Sequence, residues 1–121
     1  MRVKTYYKFK FYLNARHSVT FNGKTSNVHP HTWEVVVLFG SRESDIVNFT
    51  TFENELEEEF LKYEGKYLNE HNSFKDINPT MENIAKILHV SVKSLVNNKN
   101  LYFNKLEISE NPTRTYIIQE E

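Results

Sequence analysis

Three histidines near the start of the chain, His17, His29 and His31, are spaced as metal ligands could be. The step His29-Pro30-His31 leads straight into a strand-like run. Alternate residues of a strand share a face, so these two imidazoles project the same way. Strand rise sets them roughly 7 Å apart. A third imidazole from a neighbouring strand completes a three-nitrogen site. Three protein ligands with one position open is the pattern of a catalytic zinc, and the absence of cysteine disfavours a structural one. Iron or nickel would also accept three imidazoles. Most strand histidines are ordinary surface or core residues, so the elements that carry these three have to decide the matter.

Residues 5–14 alternate: Tyr7, Phe9, Phe11 and Leu13 fall on one face, Lys8, Lys10 and Tyr12 on the other. That is a half-buried strand. Asn22-Gly23 is a strong hairpin signal. Residues 32–39 form a second strand, rich in β-branched side chains. A strict two-residue turn would pair His17 with Val28 and turn His29 to the other face. One extra residue in the hairpin pairs His17 with His29, and His31 becomes their diagonal neighbour.

The period then changes. Phe49, Phe52, Leu56, Phe60 and Tyr63 recur at helical spacing, and Thr50 with Glu53 reads as a capping box. A polar stretch runs from about Glu64 to Asn78. Asn78-Pro79-Thr80 opens a second helix with the face Ile84, Ile87, Leu88, Val92 and Leu95, which Asn97-Asn98-Lys99-Asn100 stops. Strands near 101–109 and 113–119 close the chain around a turn at Asn111-Pro112. The order β-β-α-α-β-β implies an α+β fold: an antiparallel four-stranded sheet with two helices on one face. His71 in a loop and His89 on the polar side of the second helix read as ordinary residues.

The 121 residues suggest one domain spanning 1–121. It is small for an enzyme with a deep private pocket, so a homo-oligomer is expected. The net charge of −1 and dispersed Lys and Arg give no footprint for nucleic acid. No uninterrupted apolar stretch marks a membrane span or a signal peptide. The lack of cysteine is compatible with a cytoplasmic location.

Several segments resemble the family of 6-pyruvoyl-tetrahydropterin and 6-carboxytetrahydropterin synthases. Leu13-Asn14-Ala15-Arg16-His17 looks like the family segment that ends in a zinc histidine. His29-Pro30-His31-Thr32-Trp33-Glu34-Val35 resembles its His-Gly-His-x-Tyr-x-Val, with Pro for Gly. Ile46-Val47-Asn48-Phe49 resembles Val-x-Asp-Phe, with Asn for Asp. Lys66-Tyr67-Leu68-Asn69 and Asn78-Pro79-Thr80-Met81-Glu82-Asn83 match the segment between the helices. Ser109-Glu110-Asn111-Pro112-Thr113 resembles the C-terminal Glu-x-Pro-Thr step. The resemblance runs through the whole chain in order. It implies the tunnelling fold, assembled into trimers or hexamers with sites between subunits. It implies zinc on His17, His29 and His31, and a pterin anchored by Glu110 through two parallel hydrogen bonds. Thr80 is a weaker substrate-binding candidate, being more typical of a helix start, as is Glu82.

The resemblance breaks at the acid–base groups. The family uses a Cys general base with an Asp-His pair. Thr25 stands at the Cys position, and Glu64 and Gly65 stand at the Asp and His positions. A Thr hydroxyl is a poor base without an activating neighbour, and Gly65 cannot titrate. Glu64 and His71 are the substitute catalytic candidates. Two readings follow: a divergent zinc enzyme acting on a dihydroneopterin-type side chain, or a catalytically silent relative that keeps metal and pterin. A structural oligomer with relic histidines fits less well, because His17, His29, His31 and Glu110 are all retained.

Overall fold

The computed structural model describes residues 3–41, 48–97 and 99–120. Ile46, Val47 and Asn98 of the motifs above lie outside the described residues. The order is β1 (Tyr7–His17), β2 (Thr20–Phe21), β3 (Lys24–Thr25), β4 (His29–Ser41), α1 (Phe49–Leu61), α2 (Met81–Asn97), β5 (Leu101–Asn111) and β6 (Arg114–Gln119). Strands β1, β4, β5 and β6 form one antiparallel sheet in that spatial order. The short β2–β3 hairpin stands apart at the end of the β1–β4 pair.

Alternation builds the sheet. Phe11, Leu13, Ala15 and His17 of β1 are buried, while Lys10, Tyr12, Asn14 and Arg16 between them are exposed. Trp33, Val35, Val37 and Phe39 of β4 and Leu106 and Ile108 of β5 continue the same inner face. Both helices cover that face: Phe52, Leu56 and Phe60 from α1 and Ile84, Leu88, Val92 and Val96 from α2 join one core with the strands. Each fully buried side chain of this size contributes roughly 1.5–3 kcal/mol, so the strands that carry the histidines rest on a well-anchored layer. The α+β architecture, four antiparallel strands and two helices on one face, is the one the sequence implied.

Two local readings change. The cap of α1 is Asn48, not Thr50: Asn48 Oδ1 accepts from the Thr51 N–H at 3.1 Å, and its carbonyl accepts the Phe52 N–H. Asn offers the better capping geometry one residue ahead of the first helical turn. Tyr63 lies beyond α1 yet stays buried, its ring against His71 at 4.7 Å.

The hairpin carries the extra residue the histidines required. Asn22 and Gly23, with φ of 52° and 76°, make a tight two-residue turn that pairs Thr20 with Thr25. Beyond it the pairing resumes as His17↔His29. Ser18 and Val19 on one side thus span against Ser26, Asn27 and Val28 on the other. From His17↔His29 the β1–β4 ladder then runs unbroken to Tyr7↔Phe39.

Candidate metal centre and its cleft

The register delivers what the spacing required. His17 and His29 face each other across β1 and β4, and His31 lies diagonally on the same face. Their ring centroids are 4.5, 4.9 and 4.8 Å apart, with planes 69–85° to one another. One nitrogen from each lies within 4.8 Å of the others. Two bonds of about 2.0–2.1 Å to a shared zinc span roughly 4 Å at most, so the cluster is close to that requirement.

Hydrogen bonds orient two of the rings. His17 Nδ1 is 2.7 Å from the Pro79 carbonyl. A carbonyl can only accept, so Nδ1 carries the hydrogen and Nε2 keeps its lone pair. His29 Nδ1 is held the same way by the Asn27 carbonyl at 2.8 Å. A carbonyl behind one imidazole nitrogen is the usual support of a metal ligand. His17 Nε2 is buried and has no hydrogen-bond partner among the described residues. Leaving a buried polar atom unpaired costs about 1–3 kcal/mol, and a cation would relieve that cost. Burial and the neighbouring imidazoles hold His17 below its ordinary pKa, against the raising effect of the Pro79 bond. The neutral, ligating form is therefore favoured. The donor set and its geometry fit a divalent metal.

The cluster forms one wall of a cleft of about 510 Å³, bordered also by Val19, Phe21, Thr80, Met81, Glu82, Glu110 and Arg114. That size suits a small heterocycle. Glu110 sits where the β5–β6 register slips: Ser109 pairs with Thr115 and Asn111 with Arg114, leaving Glu110 unopposed. Such a bulge re-aims a side chain. Its Oε1 is 3.9 Å from His31 Nε2 and accepts from the Trp33 indole N–H at 3.2 Å. Thr80 borders the cleft but also caps α2, its Oγ1 accepting the Asn83 N–H at 3.2 Å.

Glu64 and His71 do not border the cleft. Glu64 grips the outer edge of β1, accepting from the Asn14 N–H at 3.0 Å and from Asn14 Nδ2 at 2.9 Å. His71 Nδ1 accepts the Ser73 N–H at 3.1 Å, which leaves Nε2–H to donate to the Lys62 carbonyl at 3.1 Å. Both its nitrogens are occupied. Gly65 adopts φ +70°, a conformation costly for a histidine, and its N–H donates to the Asn14 carbonyl at 2.6 Å. Thr25 pairs its hydroxyl with that of Thr20 at 2.9 Å on the exposed hairpin.

Two residues matter more than their motifs suggested. Asn69 binds both backbone groups of Ser18, at 2.9 and 2.8 Å. Asn78 does the same for Thr20, at 3.0 and 2.8 Å. The two amides clamp the chain just after His17. Both lie in the inter-helix segments read above as family motifs, which was the available signal.

The family model for 6-pyruvoyl tetrahydropterin synthase matches residues 6–121. The chain belongs to this family. No curated protein matches the sequence. The fold is similar to 6-pyruvoyl tetrahydropterin synthase from Caenorhabditis elegans, at 16% identity and TM-score 0.79, covering 97% of this chain and 96% of that one. It is also similar to the Plasmodium vivax synthase, at 12% identity and TM-score 0.71, covering 97% and 99%. A form of the latter with a catalytic glutamate changed to alanine matches at 12% identity and TM-score 0.66, covering 97% and 99%. At these identities the likeness carries the fold. Among the described residues no helix is long and apolar enough to cross a membrane.

Proposed function

We propose that this member of the synthase family binds zinc through His17, His29 and His31 and acts on the side chain of a dihydroneopterin-type pterin, as a carbon–oxygen or carbon–carbon lyase or an isomerase. The observation that carries the reading is the buried, unpartnered Nε2 of His17, with Nδ1 fixed by the Pro79 carbonyl. Bound zinc would supply Lewis-acid polarisation of the side-chain oxygens. Glu110 would anchor the ring, its carboxylate accepting two parallel hydrogen bonds from a ring N–H and amino group. Thr80 would offer a contact at the rim. Phe21 and Arg114 at the border of the cleft are exposed, which suits completion by another copy of the chain in a homo-trimer or hexamer, in the cytoplasm.

Glu64 and His71 remain the substitutes, and either would have to act on a neighbouring subunit's cleft. The Plasmodium vivax relative has a glutamate among its catalytic residues, which supports considering a carboxylate for the role here. A second reading, a silent zinc- and pterin-binding subunit, is favoured by the unactivated Thr25 hydroxyl.

Metal content by plasma mass spectrometry on untagged protein comes first, beside His29→Ala. The expected result is about one zinc per chain, lost in the variant. No metal after zinc is supplied would overturn the reading. Zinc-loaded protein is then incubated with dihydroneopterin triphosphate and dihydroneopterin. Conversion supports the enzyme, and binding without conversion supports the silent subunit. Turnover unchanged in both Glu64→Gln and His71→Ala would remove those two residues from the mechanism.

A further inference from the structure

We infer that Trp33 is a positioning residue that aims the Glu110 carboxylate into the histidine cleft. The inference rests on the reading that Glu110 anchors the ligand. Trp33 stands two residues beyond His31 on the same face of β4 and is fully buried. Its indole packs against two of the three histidines, with centroids 5.0 Å from His17 and 5.1 Å from His31. Its N–H donates to Glu110 Oε1 at 3.2 Å. One buried side chain therefore joins the metal half of the cleft to the carboxylate half.

Glu110 has reason to need such a tether. At the bulge its backbone has no opposed partner on β6. It borders two depressions: the histidine cleft, and a second hollow with Tyr12, Thr32 and Thr115. Tyr12 and Thr32 are exposed residues that alternate with the buried ones, so the second hollow opens on the opposite face of the sheet. A loose carboxylate could serve either side. The indole N–H comes from the core face, and a buried indole N–H requires an acceptor. It takes one of roughly four lone-pair sites on the carboxylate, and leaves Oε2 and the second lone pair of Oε1 to the cleft. A tyrosine, the usual family residue at this position by the motif above, presents a hydroxyl from a different place.

The test is a double-mutant cycle on zinc-supplied protein, with dihydroneopterin as the probe and calorimetry as the readout. Trp33→Phe keeps an aromatic ring and removes the N–H. It is expected to weaken dihydroneopterin binding about tenfold, the scale of one hydrogen bond to a charged group. In a Glu110→Ala background the same change is expected to weaken binding no further. A purely structural tryptophan would give an additive loss there, and that result overturns the inference. So does equal affinity of Trp33→Phe and the parent protein. Absence of any binding to the parent overturns the pterin reading itself, and this inference with it. Should Trp33→Phe fail to fold, the indole N–H resonance of the chain's single tryptophan decides. Glu110→Ala should shift that resonance and speed its exchange, and an unmoved signal removes the tether.

Discussion

The five histidines of this chain divide into two kinds, and the difference lies in what their nitrogens touch. His71 has both nitrogens occupied by backbone groups and its ring between Tyr63 and Phe74. His89 gives Nε2 to Glu120 at 2.7 Å and sets its ring edge-on to Phe103, with centroids 4.9 Å apart. Those two side chains are spent on holding the structure. In the cleft, His17 and His29 use only Nδ1, each on a carbonyl, and keep Nε2 for something else. His17 does so while buried. Local satisfaction therefore separates supporting histidines from available ones better than burial or position does.

The sharpest way to break this division is to move the register. Deleting Pro30 removes the residue that sets His29 and His31 on one face. With Ala15 still opposite His31, the Asn22-Gly23 hairpin would impose His17↔Val28. His29, now adjacent to His31, would turn to the other face. Zinc per chain should fall from about one to none, while far-ultraviolet circular dichroism keeps its strand signal. Full zinc retention would mean that His29 is not one of the ligands.

Single substitutions should dissociate the two kinds of histidine. Zinc at a hundred times its dissociation constant should stabilise the parent protein by about 2.7 kcal/mol. It should do nothing for His29→Ala, whose metal-free stability should be near that of the parent. His71→Ala should behave in reverse, with zinc uptake kept and about 0.5–1.5 kcal/mol of stability lost with the hydrogen bonds to the Ser73 N–H and the Lys62 carbonyl, where water can take the vacated place. Thermal melts with and without zinc read both. A His71→Ala protein that melts like the parent would place His71 among the available residues after all.

Much of this was legible before the fold. The alternation of Tyr7 to Leu13, the helical spacing of Phe52 to Phe60 and the β-branched run ending at Phe39 gave the layers, because burial repeats at the period of the backbone. The three histidines were legible because one strand step and one hairpin tie them together. What was not legible depends on single hydrogen bonds between distant segments. Nothing in the sequence marks the Pro79 carbonyl as the partner of His17, or Asn69 and Asn78 as clamps on Ser18 and Thr20. Asn and Thr both cap well, so the sequence does not reveal that Asn48 and not Thr50 takes the role. Sequence proximity alone points to Glu64 and His71, and in the fold they serve the β1 edge and the turn after α1.

The smallest expected effect contrasts the cleft with the opposite end of the sheet by pH. Glu120 accepts from Lys93 Nζ at 2.8 Å and pairs with His89 Nε2 at 2.7 Å, and these hydrogen bonds hold its carboxyl below the ordinary value of 4.5. A depressed carboxyl contributes stability that is present above the unfolded pKa and lost as pH falls through the folded one. The Glu120 contribution should therefore persist at pH 5 and fade below 4.5. The pair is partly exposed, so the whole effect should be only about 0.2–1 kcal/mol. His17, held below 6.5 mainly by burial, works in a higher window: metal-free protein should begin to lose stability once pH drops below 6.5, as the unfolded chain takes up a proton the folded one resists. Melting curves of metal-free parent, Glu120→Gln and His17→Gln from pH 8 to pH 3 separate the two. The Glu120→Gln difference should vanish only in the acid window, and the His17→Gln protein should lose the slope just below 6.5. If both variants flatten the same window, the two ends are coupled through α2, which carries His89 and Lys93 and begins beside Pro79, and the division between supporting and available histidines would be one of degree.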